Sequence, residues 1–220
     1  MVAAVVAAPA LVRTAAAAPT TLVEDWNAHK VGTRGVPPGW REYETPAGHP
    51  KYDFTVVEDG GRRALDVKSE ADHSTIAKEL HVQLAQTPVL EWAWKVMSLP
   101  PGADLRNRAT SDATGHLFVV WPRWPALLRS RLIGYVWDRN LPVGTVVPSR
   151  KTGTVTFIVV RSGEQGLGQW HVQRQNVADD YRKVFREAGA DPGAVAVSID
   201  TNDTRGRAEA LFGRIAFTAA

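Results

Sequence analysis

Eight tryptophans stand out in a chain that has only 6 Phe and 4 Tyr. An indole offers a large flat face on which a sugar ring stacks through its C–H bonds, and a binding surface built this way needs several in the open. Trp121 and Trp124 flank Pro122 and Pro125, and Trp137 precedes Asp138-Arg139-Asn140. Such loops are where an open indole is expected, with arginine and asparagine beside it to hydrogen-bond hydroxyls. Arg131 closes the densest basic stretch, Arg123 to Arg131, next to two of these tryptophans. An anchor packed on the rim of the fold is the competing reading for each. Trp92 and Trp94 have different company: they alternate in step with Leu90 and Val96, the mark of a strand's buried face.

The same chain also carries residues of lyase chemistry. His171, Gln173 and Gln175 share one face of a strand, and Tyr135 can join them. Polysaccharide lyases on a β-sandwich use Tyr, His, Arg and Gln across a concave sheet. Hydrolysis of a glycan needs instead two carboxyls a few ångströms apart in different environments. Asp112, Glu79, Asp138, Asp200 and Asp203 are the candidates, and spacing singles out no pair.

Metal chemistry has one opening. The six histidines, His29, His49, His73, His81, His116 and His171, form no i,i+4 pair and no short ligand spacing, so no transition-metal site is signalled. Asp200-Thr201-Asn202-Asp203-Thr204 is oxygen-rich, and calcium takes oxygen ligands. Counted as an EF-hand the loop fails, with Arg205 at the glycine position and Leu211 at that of the bidentate glutamate. A calcium site built on Asp200, Asn202 and Asp203 would therefore borrow ligands, with Glu24 or Asp25 the expected donors. The alternative is a turn in which Asp200 and Asn202 bond their own backbone. With no cysteine, disulfides, thiol nucleophiles, zinc–thiolate sites and iron–sulfur clusters are excluded. Arg161-Ser162-Gly163-Glu164-Gln165-Gly166 leads into Gly and Trp rather than a helix, so it is neither a nucleophile elbow nor a phosphate loop.

Strands must position nearly all of these residues. Short alternating runs are expected at Leu22 to Trp26, Trp40 to Glu44, Tyr52 to Val57, Arg63 to Lys68 and Ser74 to Leu84. Leu90 to Met97, His116 to Trp121, Arg131 to Trp137, Thr154 to Arg161 and Gln169 to Arg174 continue the series, and runs around Val197 and Ile215 end it. Glu58-Asp59-Gly60-Gly61 between two such runs reads as a hairpin. One segment changes period: Val177, Tyr181, Val184, Phe185 and Ala188 recur at helical spacing, with Asn176 at the N-cap position and Gly189 and Pro192 as stops. Many short strands, frequent turns and no strand–helix–strand alternation predict an all-β, two-sheet antiparallel β-sandwich, jelly-roll-like, with one short helix near residues 177–188.

At 220 residues, 44% hydrophobic and 22% charged, the chain fits one folded domain, expected over residues 21–220. Net charge is +3 and basic residues are diluted by acidic ones along the chain, which speaks against nucleic acid as a partner. Val2 to Val12 is a short Ala/Val-rich run, and Ala15 to Ala18 offers small residues before Pro19. Residues 1–20 thus resemble the back half of a signal peptide, with a disordered leader as the alternative. The run is too short and alanine-rich for a spanning helix, so no transmembrane segment is expected in a mature chain.

Gly39-Trp40, Trp92-Ala93-Trp94-Lys95-Val96, Tyr135-Val136-Trp137, Arg161-Ser162-Gly163, Asp180-Tyr181-Arg182 and Ser198-Ile199-Asp200-Thr201-Asn202-Asp203-Thr204 occur in that order over roughly residues 22–218. As an ordered set they resemble a bacterial family defined only as domain of unknown function 3047. That resemblance implies a periplasmic or secreted β protein and no established activity. Paired acids are expected in the family before the strand at His116, and this chain has Ser111-Asp112. A looser similarity is to jelly-roll carbohydrate-binding modules, carried by Val23-Glu24-Asp25-Trp26 and Gly39-Trp40. The expectation is an exported sandwich that binds a glycan or another envelope polymer without catalysis; a polysaccharide lyase or hydrolase on the same fold is the alternative.

Overall fold

The computed structural model describes residues 18–43 and 50–220. The expected leader falls almost wholly outside them, although Thr20 is already paired with Thr218. In chain order the strands are β1 Thr20–Glu24, β2 Arg41–Glu42, β3 Asp53–Asp59, β4 Arg62–Glu70, β5 His73–Glu79, β6 Val89–Ser98 and β7 Ala113–Trp121. They continue as β8 Arg131–Asp138, β9 Val146–Pro148, β10 Val155–Ser162, β11 His171–Asn176, β12 Ala194–Asp200 and β13 Arg207–Thr218. The first sheet runs β11-β6-β13-β4-β3, with β1 also on β13; the second runs β2-β5-β12-β7-β8-β10-β9.

Alternation decides what faces the space between the sheets. Leu90, Trp92, Trp94 and Val96 of β6 meet Ile133, Tyr135 and Trp137 of β8 in one buried cluster. Trp92 stacks on Tyr135 with centroids 5.4 Å apart, and Trp94 lies 5.8 Å from Trp137. The predicted all-β sandwich is the fold. Gly60 and Gly61 both have positive φ, which suits the two-residue turn between β3 and β4. Helix α2, Val177–Phe185, starts where Asn176 accepts a hydrogen bond from the Asp179 amide; it stops at Arg186 in the left-handed region, before the expected glycine. The single turn α1, Ala126–Arg129, was not signalled by any periodicity.

Two departures have physical reasons. β8 and β10 run parallel, against the wholly antiparallel expectation. The three-residue β9, bounded by Pro148, takes the antiparallel place beside β10 at the sheet edge. A pairing direction leaves no trace in a period-two pattern. The strand expected over Ser74 to Leu84 stops at Glu79. Beyond it the Gln83 carbonyl accepts the amides of Gln86 and Thr87, a helical turn that strand pairing cannot continue.

Candidate functional site

The expected site residues fall into separate places. Tyr135 and Trp137 were expected to meet a ligand; both are buried between the sheets. The Tyr135 hydroxyl donates to Asp180 Oδ2 at 2.8 Å, and the Trp137 Nε1–H donates to the Gly163 carbonyl at 2.8 Å. Burial raises Tyr135 well above the usual phenol range, and it also raises Asp180 against the pull of their shared hydrogen bond. A phenol held this way has no proton to exchange with a polysaccharide. His171 and Gln173, both half-buried, do share the core-facing side of the edge strand β11, in register with Trp94 and Trp92. His171 Nε2 lies 2.9 Å from the Gly166 carbonyl and the ring meets Trp137 edge-on, so it anchors a loop.

A second group closes one end of the sandwich. Trp121, expected in the open, is 3% exposed. Its Nε1–H donates to the Ala190 carbonyl at 2.7 Å and its ring packs on Tyr181. Arg131 grips both oxygens of Glu187 at 2.6 Å and donates to the Tyr181 hydroxyl at 3.0 Å, so its guanidinium is committed to α2 and the residues just after it. Only Trp124 of this group stands out, 85% exposed after a loop that ends in a cis Trp124–Pro125 bond. Among the described residues it makes no hydrogen bond and no ring contact.

A third group is a polar knot beside the outer face of the second sheet. Asp112 accepts from the amides of Asp203 (3.1 Å) and Thr204 (2.7 Å) and from the Thr204 hydroxyl (2.6 Å), so it caps the 200–206 turn. Lys151 Nζ stands 2.5 Å from Asp203 Oδ2, 3.3 Å from Asn202 Oδ1 and 3.6 Å from Asp200 Oδ2. The charge that a calcium ion would bring to Asp200, Asn202 and Asp203 is already there as an ammonium. Glu24 does not come to the loop either. Its carboxylate takes Lys78 Nζ at 2.8 Å and Trp40 Nε1 at 3.0 Å. Burial pushes Glu24 up, and those bonds more than offset it, leaving it at about 2. Among the described residues no group of three or more His, Asp or Glu is placed to hold a metal. Burial lifts Asp200 to about 7 and, chiefly by the same cause, lowers His116 to about 4. The other two carboxyl candidates are apart: Asp138 caps the amides of Asn140 and Leu141, and Glu79 pairs with Arg41 at the surface.

The best-built open surface was not among the expected residues. Trp170 precedes β11 and lies half-buried on the outer face of the first sheet. A Cβ on Gly213 would stand 3.3 Å from Trp170 Cζ3 and 3.2 Å from the Ala93 Cβ, so the indole sits where β13 and β6 carry no bulk. Its Nε1–H donates to Asp59 Oδ2 at 2.6 Å. Lys95 Nζ holds both oxygens of Asp59 at 3.0–3.1 Å, and the Arg62 guanidinium lies 5.8 Å from the indole. Hydrogen bonds from Lys95 and then Trp170 hold Asp59 below the usual carboxylate range. An indole oriented by a carboxylate, with an ammonium on that carboxylate and a guanidinium over the ring, can stack an apolar ring face once Arg62 swings aside and bond the hydroxyls around it. Val172, 60% exposed, and the Glu91–Arg174 pair extend the same face. A signal existed: Trp170 shares parity with Val172 and Arg174, opposite to His171.

Among the described residues no helix is long and apolar enough to cross a membrane. Compared with solved structures, the chain is similar to the family 11 carbohydrate-binding module of a cellulosomal cellulase of Clostridium thermocellum. The TM-score is 0.48 at 8% identity, over 93% of this chain and 97% of the module. It is also similar to the family 30 module of another cellulosomal cellulase of that organism, with TM-score 0.46 at 10% identity over 91% and 98%. The xyloglucanase domain of NopAA, an effector of Sinorhizobium fredii, gives 0.44 at 9% identity over 85% and 97%. A search of curated proteins finds none that matches in sequence. The family described as Protein of unknown function (DUF3047) matches residues 38–216, most of the chain, and the chain belongs to it.

Proposed function

We propose that this protein is an exported, non-catalytic module that binds a carbohydrate chain or a related envelope polymer on the outer face of its first sheet. Trp170 carries the reading. It is a half-buried indole on the outer face that is held in place by Asp59, with the Arg62 guanidinium over its ring, where a stacking sugar would take the place of Arg62. Trp124 is more exposed but nothing fixes it, and an unfixed side chain gives back binding energy as lost rotamer freedom. Export rests on the signal-peptide-like character of residues 1–20, and a reporter fused to that segment should cross the membrane.

The test is a glycan-array screen with reducing-end release measured on the same panel. Binding without release is the expected result. Trp170→Ala should weaken it by about tenfold or more, equivalent to about 1.4 kcal/mol, while the variant still melts as a folded domain. Unchanged binding in that variant would remove the platform. Release of reducing ends would favour the second reading, a polysaccharide-acting enzyme on the same fold. The observation on its side is Asp200, whose carboxyl at about 7 is in the range of a general acid and lies near Asp112 and Asp203.

A further inference from the structure

A cleft of about 680 Å³ opens between β1 and the turn that follows β5. Thr20 and Thr21 line it from β1, Gln83 and Gln86 from the turn, and Glu79 and Asp191 from beside them. Its size falls in the range of about 300–1,000 Å³ usual for small-molecule sites. The walls are fixed before any ligand arrives. The Gln83 carbonyl accepts the amides of Gln86 (2.9 Å) and Thr87 (3.0 Å), and the Leu80 amide donates to the Gly193 carbonyl at 3.0 Å. Asp191 Oδ1 accepts the Leu84 amide at 2.8 Å, which ties the turn to the segment that leads into β12. Gln86 Nε2 donates to Gln83 Oε1 at 2.7 Å, so the two side-chain amides are oriented as a pair.

Much hydrogen-bonding capacity is left over. The second oxygen of Asp191, the Thr21 hydroxyl and the His81 ring have no partner among the described residues, and the amide pair has a free oxygen and free N–H groups. Mixed donors and acceptors at short spacing match the adjacent hydroxyls of a sugar, each of which both donates and accepts. No lysine or arginine lines the cleft; Glu79 is paired with Arg41 at 3.3 Å, so the negative charge of the cleft is that of Asp191. An anionic ligand is therefore repelled, and a neutral or amine-bearing one is accepted.

We propose that this cleft is a second sugar site, separate from Trp170, that takes one or two sugar units without negative charge. It takes from the functional reading above only that the ligand is a sugar. The experiment is titration of the full chain with short oligomers of glucose, glucosamine and a uronic acid, followed by calorimetry and by the His81 ring NMR signals. Gln83→Ala, Thr21→Val and Trp170→Ala are compared, with melting curves to check the fold. Glucose or glucosamine oligomers should shift the His81 signals, and the uronic acid oligomer should not. Gln83→Ala and Thr21→Val should each weaken that response by about tenfold, while Trp170→Ala leaves it intact. Silent His81 signals with all oligomers, an equal response to the uronic acid, or indifference to both cleft variants would overturn the second site. Loss of calorimetric binding in Trp170→Ala alone would then leave the platform standing. A surviving His81 response with no effect of Trp170→Ala on any binding would sink the platform and keep the cleft.

Discussion

The two sheets turn very different outer faces away from their shared core. On the first, Glu91 pairs with Arg174 and Arg214, Lys95 with Asp59, and Lys68 with Asp66 and Glu209, all at or near the surface. On the second, pairing register sets Ala77, Ala196, Phe118, Gly134, Phe157 and Val147 in one row across the strands. Phe118 and Phe157 are only 8% and 7% exposed there, and Leu105 and Leu141 pack into the same cluster. One face is therefore a surface and the other a second core. A sheet covered on both sides reads as near-continuous apolar strands, as β7 and β8 do. The lesson for function is one of placement: open chemistry belongs to the first face, where charge keeps water present and an aromatic ring is an exception.

The largest test of that contrast is truncation. Phe118→Ala should cost about 3–5 kcal/mol, the usual range for a buried phenylalanine, read from urea melts. Arg174→Ala on the first face should stay within about 0.5 kcal/mol. Equal losses would mean that both outer faces are surfaces, or that both are cores.

Two glycines sharpen the comparison. A Cβ on Gly134 would stand 2.6 Å from Phe118 Cε1 and 3.0 Å from Phe157 Cδ1. Both rings are confined, so Gly134→Ala should cost about 1–3 kcal/mol as overpacking. Gly213→Ala meets the Ala93 Cβ at 3.2 Å and Trp170 Cζ3 at 3.3 Å, contacts a few tenths of an ångström too close that a lift of the half-buried indole relieves in part. That variant should melt near the parent and lose glycan affinity by displacing the indole. A Gly213→Ala protein that binds as the parent does would detach the platform from the glycine beneath it.

These positions also show what was legible in the sequence. The inward row of β6 was readable because the core between the sheets imposes strict alternation on Leu90, Trp92, Trp94 and Val96. Helix α2 was readable from its period and from Asn176. Trp121 and Trp137 were misplaced although their phase was visible. Trp121 is in step with Leu117 and Val119, and Trp137 with Ile133 and Tyr135, all on the core side. Adjacent prolines and charged residues mark where a strand ends; they do not turn its last side chain outward. Trp170 shows the converse: its phase puts it outward, but Gly163, Gly166 and Gly168 before it mark the stretch as loop. The parallel pairing of β8 and β10 was not legible at all, because it depends on where a long connection returns the chain.

A smaller effect comes from protons at the polar end of the second face. His116, lowered to about 4 chiefly by burial, is neutral in the fold. The unfolded chain binds the extra proton below its ordinary value of about 6.5, so this histidine makes stability rise with pH between about 4 and 6.5. His73 is shifted in the same direction by the same cause. Asp200, raised to about 7 by burial, has the opposite sign. Its folded form holds a proton that the unfolded chain releases near 3.9, so its contribution is present below that value and is lost as pH rises to about 7. The two trends oppose each other, and the parent's stability should be nearly flat over that window. Asp200→Asn removes the falling part, and stability should then rise by about 1–3 kcal/mol from pH 4 to 6.5. A flat profile in that variant would mean that burial does not lower the histidines, and a parent that already rises as steeply as the variant would mean that Asp200 titrates normally.

The smallest expected effect is that of calcium, and it follows from how the same end of the molecule is neutralised. Any ligand that binds the native state must raise its melting temperature. Calcium would need the oxygens of Asp200, Asn202 and Asp203, and Lys151 Nζ stands within 3.6 Å of an oxygen from each. An ammonium at that centre repels a divalent cation, and its tether through residues 149–153 holds it in place by the Ser149 hydroxyl and the amides of Lys151 and Thr152. Melting curves with calcium and with chelator should therefore superimpose for the parent. Lys151→Ala takes the ammonium away and leaves Asp200, Asp203 and the capped Asp112 close together without a cation. That variant should melt lower than the parent, and calcium should restore part of the loss if the oxygens alone define the cage. A rise with calcium in the parent would show that Lys151 yields its place. No rise in Lys151→Ala would show that these oxygens are spaced for a lysine and not for a metal.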